Sequence, residues 1–265
     1  MLLNFKIIFV FLIVILISML NKVVLTSSIN KNIFLASYIK GILLANGYGE
    51  IKLIEDKFLL NLNAKTTGIF SLLSKWQQTV SVEGSYQENT FKSIIYKSNE
   101  ARGKKKGHIY IEFKDGYPTI LSAQPDPRKD DRRQTIENNL LKNTLDPVLG
   151  IINIGINGQC NKISIIFDGK RKYILKANYV SNDRIRINNF FDKEFKAVKC
   201  KFEIEKLAGY TKKELEKYPT SGFIWFKKEK NKNFFFPVKI NIESKWGNFV
   251  CLIKERRIPV ESNNL

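Results

Sequence analysis

The side chains best suited to catalysis or metal binding are scarce in this chain. Its 265 residues include one histidine, His108, and three cysteines, Cys160, Cys200 and Cys251. A site of several histidines or of four cysteines is therefore impossible, and a cysteine nucleophile would have only His108 as its base. No phosphate-binding glycine loop, G-x-S-x-G or H-E-x-x-H motif is present. We expect no catalytic residue, no metal and no cofactor, and a polar surface role for His108.

The acidic residues that cluster in sequence lie in one charged segment. Residues 124–133 hold three aspartates among four basic residues and two prolines. Paired carboxylates can act as general acid and base, but only in a cleft that shifts their pKa values. Alternating charge instead predicts an exposed, self-neutralising loop. Asp168 precedes Gly169, and a turn explains that aspartate by itself, so its replacement by alanine is expected to have a small effect.

Two of the cysteines are placed to form a disulfide. Cys160 and Cys200 lie beside predicted strands, and a bond between them closes a loop of about forty residues. In an oxidising compartment such a bond stabilises a protein by about 2–4 kcal/mol. Two buried, unpaired thiols are the alternative. Cys251 lies in an apolar strand and is most simply a small buried hydrophobic residue.

The N-terminus has the composition of a targeting segment. Residues 7–20 are apolar apart from one serine, and Lys6 and Lys22 flank them. A helix of this length spans about 21 Å, which is short of the roughly 30 Å core of a bilayer and typical of a signal peptide. We assign residues 1–28 to a cleaved signal peptide. An uncleaved anchor to the inner membrane over residues 7–25, or a buried core helix, is the alternative.

The chain is strongly basic. Its formal charge is +19, and loss of residues 1–28 removes only Lys6 and Lys22, which leaves +17. Such an excess favours anionic partners, although abundant lysine, asparagine and isoleucine are also what AT-rich coding produces. The densest cluster, Lys104, Lys105 and Lys106, is expected to lie in a basic loop over residues 102–108 and to contact anionic surfaces. No aromatic residues interleave with it, so specific nucleic-acid binding is not expected.

Strand-like patterns dominate the rest of the chain. Alternation and turn signals predict strands over residues 33–44, 51–62, 79–86, 91–97, 108–114, 162–167, 172–178, 185–187, 195–204, 223–228, 234–243 and 249–254. Tight turns are predicted at residues 46–47, 87–89, 115–116 and 168–169. The exposed segment 124–133 is expected to join two parts of one sheet. Aromatic residues between 223 and 236 are expected to be strand core, with a ligand cavity as the alternative.

A few short helices interrupt the strands. Asp146 is a predicted N-cap before Pro147, with Leu149 and Ile152 packed inward and the helix ending near Gly155 or Gly158. Thr211 and Glu214 form a capping-box pattern. Residues 135–143 are expected to form one short helix, and residues 68–76 either a short helix or an irregular strand.

The order of these motifs resembles a family of exported bacterial proteins, the domain-of-unknown-function 3108 family. The motifs are Thr144-Leu145-Asp146-Pro147, Cys160, residues 166–173 (IFDGKRKY), Cys200, residues 223–226 (FIWF) and residues 237–240 (PVKI). Residues 38–41, residues 67–68 and Trp76 also look like those of alphaproteobacterial members. The resemblance implies an antiparallel, β-rich envelope protein and supplies no catalytic residues.

Together these observations predict a mainly β protein, a curved antiparallel sheet or open barrel, as a single domain over residues 29–265. We expect a non-enzymatic binding or structural role in the periplasm, with a lipid or another envelope component as partner. The concave face of the sheet could hold an apolar or lipidic ligand. A hydrolase that uses carboxylates, and a basic surface binder of anionic lipid or glycan, are the alternatives.

Overall fold

Antiparallel pairing of successive strands builds nearly the whole molecule. The computed structural model describes residues 28–187, 189–230, 234–244 and 247–256, so residues 7–25 of the expected signal or anchor lie outside the described part. The strands are β1 (Ile29–Ile39), β2 (Ile42–Ile54), β3 (Lys57–Thr66), β4 (Trp76–Gln87), β5 (Thr90–Arg102), β6 (Lys105–Lys114), β7 (Tyr117–Gln124), β8 (Ile163–Phe167), β9 (Lys172–Ile185), β10 (Phe195–Ala208), β11 (Ser221–Lys228), β12 (Phe235–Ile242) and β13 (Phe249–Arg256). The helices are α1 (Ile69–Leu73), α2 (Pro147–Gly155) and α3 (Lys212–Lys217).

The described strands form a single 13-stranded sheet in the order β7-β6-β5-β4-β3-β2-β1-β13-β12-β11-β10-β9-β8. Because β1 pairs with β13, the first and last strands lie side by side in the middle of the sheet. The sheet curls until its edge strands, β7 and β8, approach each other in a nearly closed barrel, which confirms the expected fold class. The mouth is the end that bears the connections 40–41, 67–75 and 103–104. The base is the opposite end, which bears 55–56, 88–89 and 115–116.

A strap, residues 125–146, covers the gap between β7 and β8. Near the mouth, the Arg133 guanidinium donates to both carboxylate oxygens of Glu214 at 2.8 and 3.0 Å. Near the base, the backbone N–H of Asn143 donates to the carbonyl of Gly116 at 2.6 Å. Leu145 then forms a parallel bridge with Ile166, which satisfies part of the free edge of β8. The charged segment 124–133 therefore joins two parts of one sheet, as predicted.

Helix α2 enters the barrel after the strap and fills its interior towards the base. Asp146 is its N-cap, since its carboxylate accepts from the backbone N–H groups of Val148 and Leu149 at 2.8 and 3.1 Å. Leu149 and Ile152 are buried against inward-facing strand residues, as the sequence predicts. The Asn153 amide also bonds both backbone groups of Phe91, at 2.8 and 2.9 Å, which fixes α2 against β5. The predicted capping box of Thr211 and Glu214 opens α3.

Several local predictions were wrong. Residues 46–47 are not a turn: they lie inside β2, where pairing with β1 and β3 on both sides overrides the Asn-Gly signal. The turns are at 40–41 and 55–56 instead. The residues 102–108 are not a loop, because β5 ends at Arg102 and β6 begins at Lys105. The predicted strand 172–178 continues to Ile185 as β9, so 185–187 is not a separate strand, and residues 135–143 contain only a 3₁₀ turn, Asn138–Leu141.

The two Asp-Gly signals have different outcomes. Asp115 and Gly116 both have positive φ, 52° and 80°, and form the predicted two-residue hairpin between β6 and β7. Asp168 and Gly169 open a four-residue connection between Phe167 and Lys172, in which only Gly169 has positive φ. The ambiguous segment 68–76 contains the short helix α1.

Candidate functional site

The inward face of β4, β5 and β6 changes from apolar to polar towards the mouth. Side chains alternate between the two faces of a strand, so the cross-strand pairs give the inward rows directly. In order from the base side, these rows are Val82, Tyr96 and Ile111; Val80, Ser98 and Ile109; Gln78, Glu100 and Gly107; and Trp76, Arg102 and Lys105. The interior beyond the buried core is therefore lined by groups that can bind a polar ligand.

A cavity of about 540 Å³ lies where these polar rows meet the β8–β9 connection. Its volume is within the usual range of small-molecule sites. Two carboxylates line it, those of Glu100 and Asp168. Five cationic residues also line it: Arg102, Lys105, Lys106, Lys170 and Arg171. The cavity is therefore an electropositive pocket at the end of the barrel.

Asp168 holds one side of this cavity in place. Its carboxylate accepts from the backbone N–H groups of Lys170 and Arg171, each at 2.8 Å. It also accepts from Nε and Nη2 of Arg171, at 2.8 and 2.6 Å. The expectation that Asp168 serves only a turn was therefore incomplete, because its removal would leave a largely buried guanidinium without a counter-charge.

Arg171 is fixed on its other side by aromatic rings. Its guanidinium lies 4.4 Å from the ring centroid of Tyr218 and 5.9 Å from that of Tyr210. Burial favours the neutral form of Arg171, but the Asp168 carboxylate outweighs burial, and the pKa of Arg171 is raised overall. Burial, followed by the charge of Asp168, raises the pKa of Tyr96 well above its ordinary value. That phenol therefore remains a neutral hydroxyl beside the cavity.

Glu100 is also engaged, and three lysines are not. The Glu100 carboxylate accepts from Nε1 of Trp76 at 3.0 Å and from Nη2 of Arg102 at 3.1 Å. Within the described part of the chain, no carboxylate lies at ion-pair distance from the cavity residues Lys105, Lys106 or Lys170. Both acidic residues thus position cations. Lys105, which lies in the inward row of Arg102, and Lys170 remain available to a ligand, whereas the Lys106 side chain alternates to the outer face of β6.

The basic cluster predicted from the sequence is divided by the fold. Lys104 lies in the exposed turn between β5 and β6 and does not line the cavity, whereas Lys105 and Lys106 do. His108 also borders the cavity, and its Nε2 lies 2.7 Å from Oγ of Ser122. Contact of these lysines with anionic surfaces stays a prediction.

Two ion pairs within the charged residues 124–133 agree with the predicted self-neutralising loop, whereas Arg133 is mostly buried and pairs with Glu214 outside it. Asp126 pairs with Arg128 at 2.8 Å and Asp130 with Arg132 at 2.7 Å, and the two arginines are mostly exposed. Among the residues that the structure describes, no group of three His, Cys, Asp or Glu side chains could hold a metal ion. The described helices include none that is long and apolar enough to cross a membrane.

Sequence analysis did not predict most of the residues that line the cavity. Lys170 and Arg171 follow a recognised turn signal, and the dense run of basic residues after Gly169 could have indicated them. Glu100 and Gln78 carry no motif, because each belongs to the site only through the register of its strand. Asp146 and Ser93 form a buried hydrogen-bonded pair. The sequence predicted the Asp146 cap but not its partner Ser93 on β5.

The predicted disulfide is present. Cys160 and Cys200 are bonded, with their Cα atoms 5.6 Å apart, and both are fully buried. The bond suggests an oxidising, exported environment. Cys251 is a free thiol whose pKa is raised by burial.

The aromatic residues at 223–236 do not line the mouth cavity. Phe226 and Phe234 belong to two different core clusters, in agreement with the expected core role.

Comparison with known families supplies the identification. The family model "Protein of unknown function (DUF3108)" matches residues 35–254. The chain belongs to the DUF3108 family. This confirms the resemblance found in the sequence motifs, and the match spans the barrel from β1 to β13.

Solved structures similar to this DUF3108 member also come from families of unknown function. A β-barrel-like protein of domain DUF1849 from Brucella abortus has a TM-score of 0.48 and 9% identity, over 87% of this chain and 99% of that one. A DUF1329 family protein from Desulfovibrio piger has a TM-score of 0.21 and 8% identity, over 91% and 89% of the two chains. No curated protein matches the sequence.

Proposed function

We propose that this DUF3108 protein is an exported, non-enzymatic binding protein of the bacterial envelope that holds an anionic group in its mouth cavity. The observation that carries the proposal is the pair of cavity lysines, Lys105 and Lys170, that have no carboxylate partner among the described residues. The disulfide supports export, and the family match supports no particular reaction.

The cavity has the two properties that anion binding needs. Asp168 fixes the backbone at Lys170 and, with the tyrosine rings, the side chain of Arg171, so this wall needs little reorganisation on binding. Burial of part of the lining lowers the local dielectric and strengthens each charge–charge contact relative to bulk water.

The shape of the interior narrows the class of ligand. Helix α2 and the buried strand residues pack together towards the base, so we place the ligand at the mouth rather than in the apolar interior. Tyr96, Ile109 and Pro147 also line the mouth cavity, and they give it an apolar part in addition to its cations. An amphiphile with an anionic end, such as a lipid head group with its first carbons, matches both surfaces.

The two acidic residues favour binding over hydrolysis. A general acid needs a protonated carboxyl group that faces the substrate. Asp168 accepts four hydrogen bonds and Glu100 accepts two, so both carboxylates are committed to neighbouring donors.

Titration calorimetry tests the proposal and separates the sources of the anion. The probes are inorganic phosphate, short-chain dihexanoyl phosphatidylglycerol, and dihexanoyl phosphatidylcholine, which carries no net charge. We expect the phosphatidylglycerol to bind, phosphate to bind more weakly and the phosphatidylcholine not to bind. Stronger binding of phosphate would identify a free anion rather than a head group as the ligand.

Matched variants locate the binding. Lys105→Ser and Lys170→Ser should each weaken binding about tenfold, the equivalent of about 1.4 kcal/mol for one lost charged contact. Lys104→Ser removes the same charge from the neighbouring turn outside the cavity and should change the Kd little. Equal effects of all three variants would mean that general surface charge binds the probe, and the cavity would then not be its site.

A further inference from the structure

An exposed apolar tip lies at the mouth of the barrel. Leu72 and Leu73 of α1 are 86% and 76% exposed, and Ile69 is 61% exposed. Ile42, on the adjoining β1–β2 hairpin, is 55% exposed. These four residues are the mouth tip. Large apolar side chains this exposed and this close together usually mark an interaction surface.

Hydrogen bonds hold the loop that carries the mouth tip in place. The Thr66 hydroxyl donates to the carbonyl of Ser74 at 2.8 Å and accepts from the backbone N–H of Trp76 at 3.1 Å, which closes the loop around α1. The backbone N–H of Thr67 donates to the carbonyl of Leu44 at 3.1 Å, which joins the loop to β2. None of the α1 residues is buried, so the loop presents its apolar residues outward.

Cationic residues surround the mouth tip. The three neighbouring stretches 40–42, 65–76 and 102–106 contain seven cationic residues and no acidic one: Lys40, Lys65, Lys75, Arg102, Lys104, Lys105 and Lys106. Gly103 donates its backbone N–H to the carbonyl of Lys75 at 2.8 Å, so the stretches are joined. An apolar centre within a basic rim is complementary to an anionic lipid surface, where the apolar groups enter the acyl boundary and the lysines meet the head groups.

We infer that the mouth tip docks on an anionic lipid bilayer. Its rim shares Arg102, Lys105 and Lys106 with the cavity, but the four apolar residues of the mouth tip and Lys40, Lys65, Lys75 and Lys104 do not line the cavity, so docking can be tested apart from the cavity ligand. Docking through the mouth tip also orients the barrel, with its base pointing away from the bilayer. Ile29 pairs with Leu53 near the base, so β1 begins at the end opposite the mouth tip.

A fluorescence experiment on the full chain tests the docking. A single NBD label is attached to Leu72→Cys or, as a control, to Ile163→Cys, both in a Cys251→Ser background with the disulfide left oxidised. Ile163 is 64% exposed and follows Lys162, whose Nζ donates to the carbonyl of Asn89 in a base turn. With vesicles of equal parts phosphatidylglycerol and phosphatidylcholine, the label at residue 72 should shift to the blue and the label at residue 163 should not.

Charge variants complete the test. Lys75→Ser with Lys104→Ser should abolish the blue shift at residue 72, whereas Lys57→Ser with Lys114→Ser, an equal loss of charge near the base, should leave it. Vesicles of phosphatidylcholine alone should give no shift. A label at residue 72 that stays water-exposed, or an equal shift at residue 163, overturns the inference. A shift without vesicles that grows with protein concentration would also overturn it, by showing contact with a second copy.

Discussion

In the N-terminal half of the sheet, from β1 to β7, the turns at the two ends of the barrel differ in charge although similar hairpins build both. The base turns 55–56, 88–89 and 115–116 contain four acidic residues and no basic one: Glu55, Asp56, Glu88 and Asp115. The mouth connections 40–41, 67–75 and 103–104 contain three lysines and no acidic residue. AT-rich coding can raise the lysine content of a chain, but it does not sort charge between two ends. These turns of the N-terminal half therefore favour an anionic partner at the mouth.

The ends also differ in packing. Towards the base, the rings of Phe58 and Tyr86 lie 4.8 and 4.9 Å from that of Phe91, and Phe234 lies 5.6 Å from Tyr86. These rings and α2 close the interior. Towards the mouth, Gln78, Glu100 and Lys105 occupy the equivalent inward positions around an open cavity. Stability should therefore depend on the base and ligand binding on the mouth.

The largest expected effect tests this division with the same substitution at each end. Phe91→Ala removes a fully buried ring and should lower the free energy of unfolding by about 3–5 kcal/mol. Phe70→Ala, in the mouth loop, should cost about 1 kcal/mol or less, because that ring is partly exposed. Urea denaturation followed by circular dichroism measures both. Equal losses would show that the mouth loop is as tightly packed as the base.

Sequence reasoning found the features that local chemistry determines. The Asp115-Gly116 hairpin, the Asp146 cap and the capping box at Thr211 each depend on neighbouring residues, and each was confirmed. The disulfide was found because only two cysteines lay beside strands in a chain expected to be exported. The sheet class followed from alternation alone.

Features that depend on register were not found. The Asn46-Gly47 signal is a strong turn pattern, but β2 has a partner on each side and the ladder overrides it. The cavity joins Glu100 on β5 with Asp168, sixty-eight positions later, and no local pattern indicates that β6 and the β8–β9 connection meet across the barrel gap. That closure depends on the strap, whose contacts are long-range.

The next largest effect is the pH dependence of stability that the buried carboxylate of Asp146 causes. Burial raises its pKa to about 6, although the Ser93 hydroxyl and two backbone N–H groups favour the charged form. The folded state thus binds the proton more tightly than the unfolded state, so stability falls as the pH rises from about 4 to about 6. The loss attributable to this group is at most about 3 kcal/mol.

A comparison with Asp146→Asn isolates this effect. Asparagine can still cap α2 through its carbonyl oxygen but does not titrate, so the difference between wild type and variant should change between pH 4 and pH 6 and be constant above. Asp130→Asn is the matched control, because ion pairing with Arg132 lowers the pKa of Asp130 and its contribution must run in the opposite direction with pH. A pH-independent difference for Asp146→Asn would show that the carboxyl is not ionising in this range.

The smallest expected effects are the changes in the free energy of unfolding that substitutions at the mouth cause. Gln78→Ala loses one hydrogen bond, 2.9 Å from its amide nitrogen to the Ser98 hydroxyl, and water in the open cavity can replace it. Lys105→Ser removes an inward-facing cation that has no ion-pair partner in the described chain and relieves repulsion from Arg102 opposite it. Each variant should change the free energy of unfolding by less than about 0.5 kcal/mol.

The same Lys105→Ser protein should bind the anionic probe about tenfold more weakly, a loss of about 1.4 kcal/mol in binding free energy. A loss of stability as large as the loss of affinity would make Lys105 a structural residue and remove the contrast between the two ends.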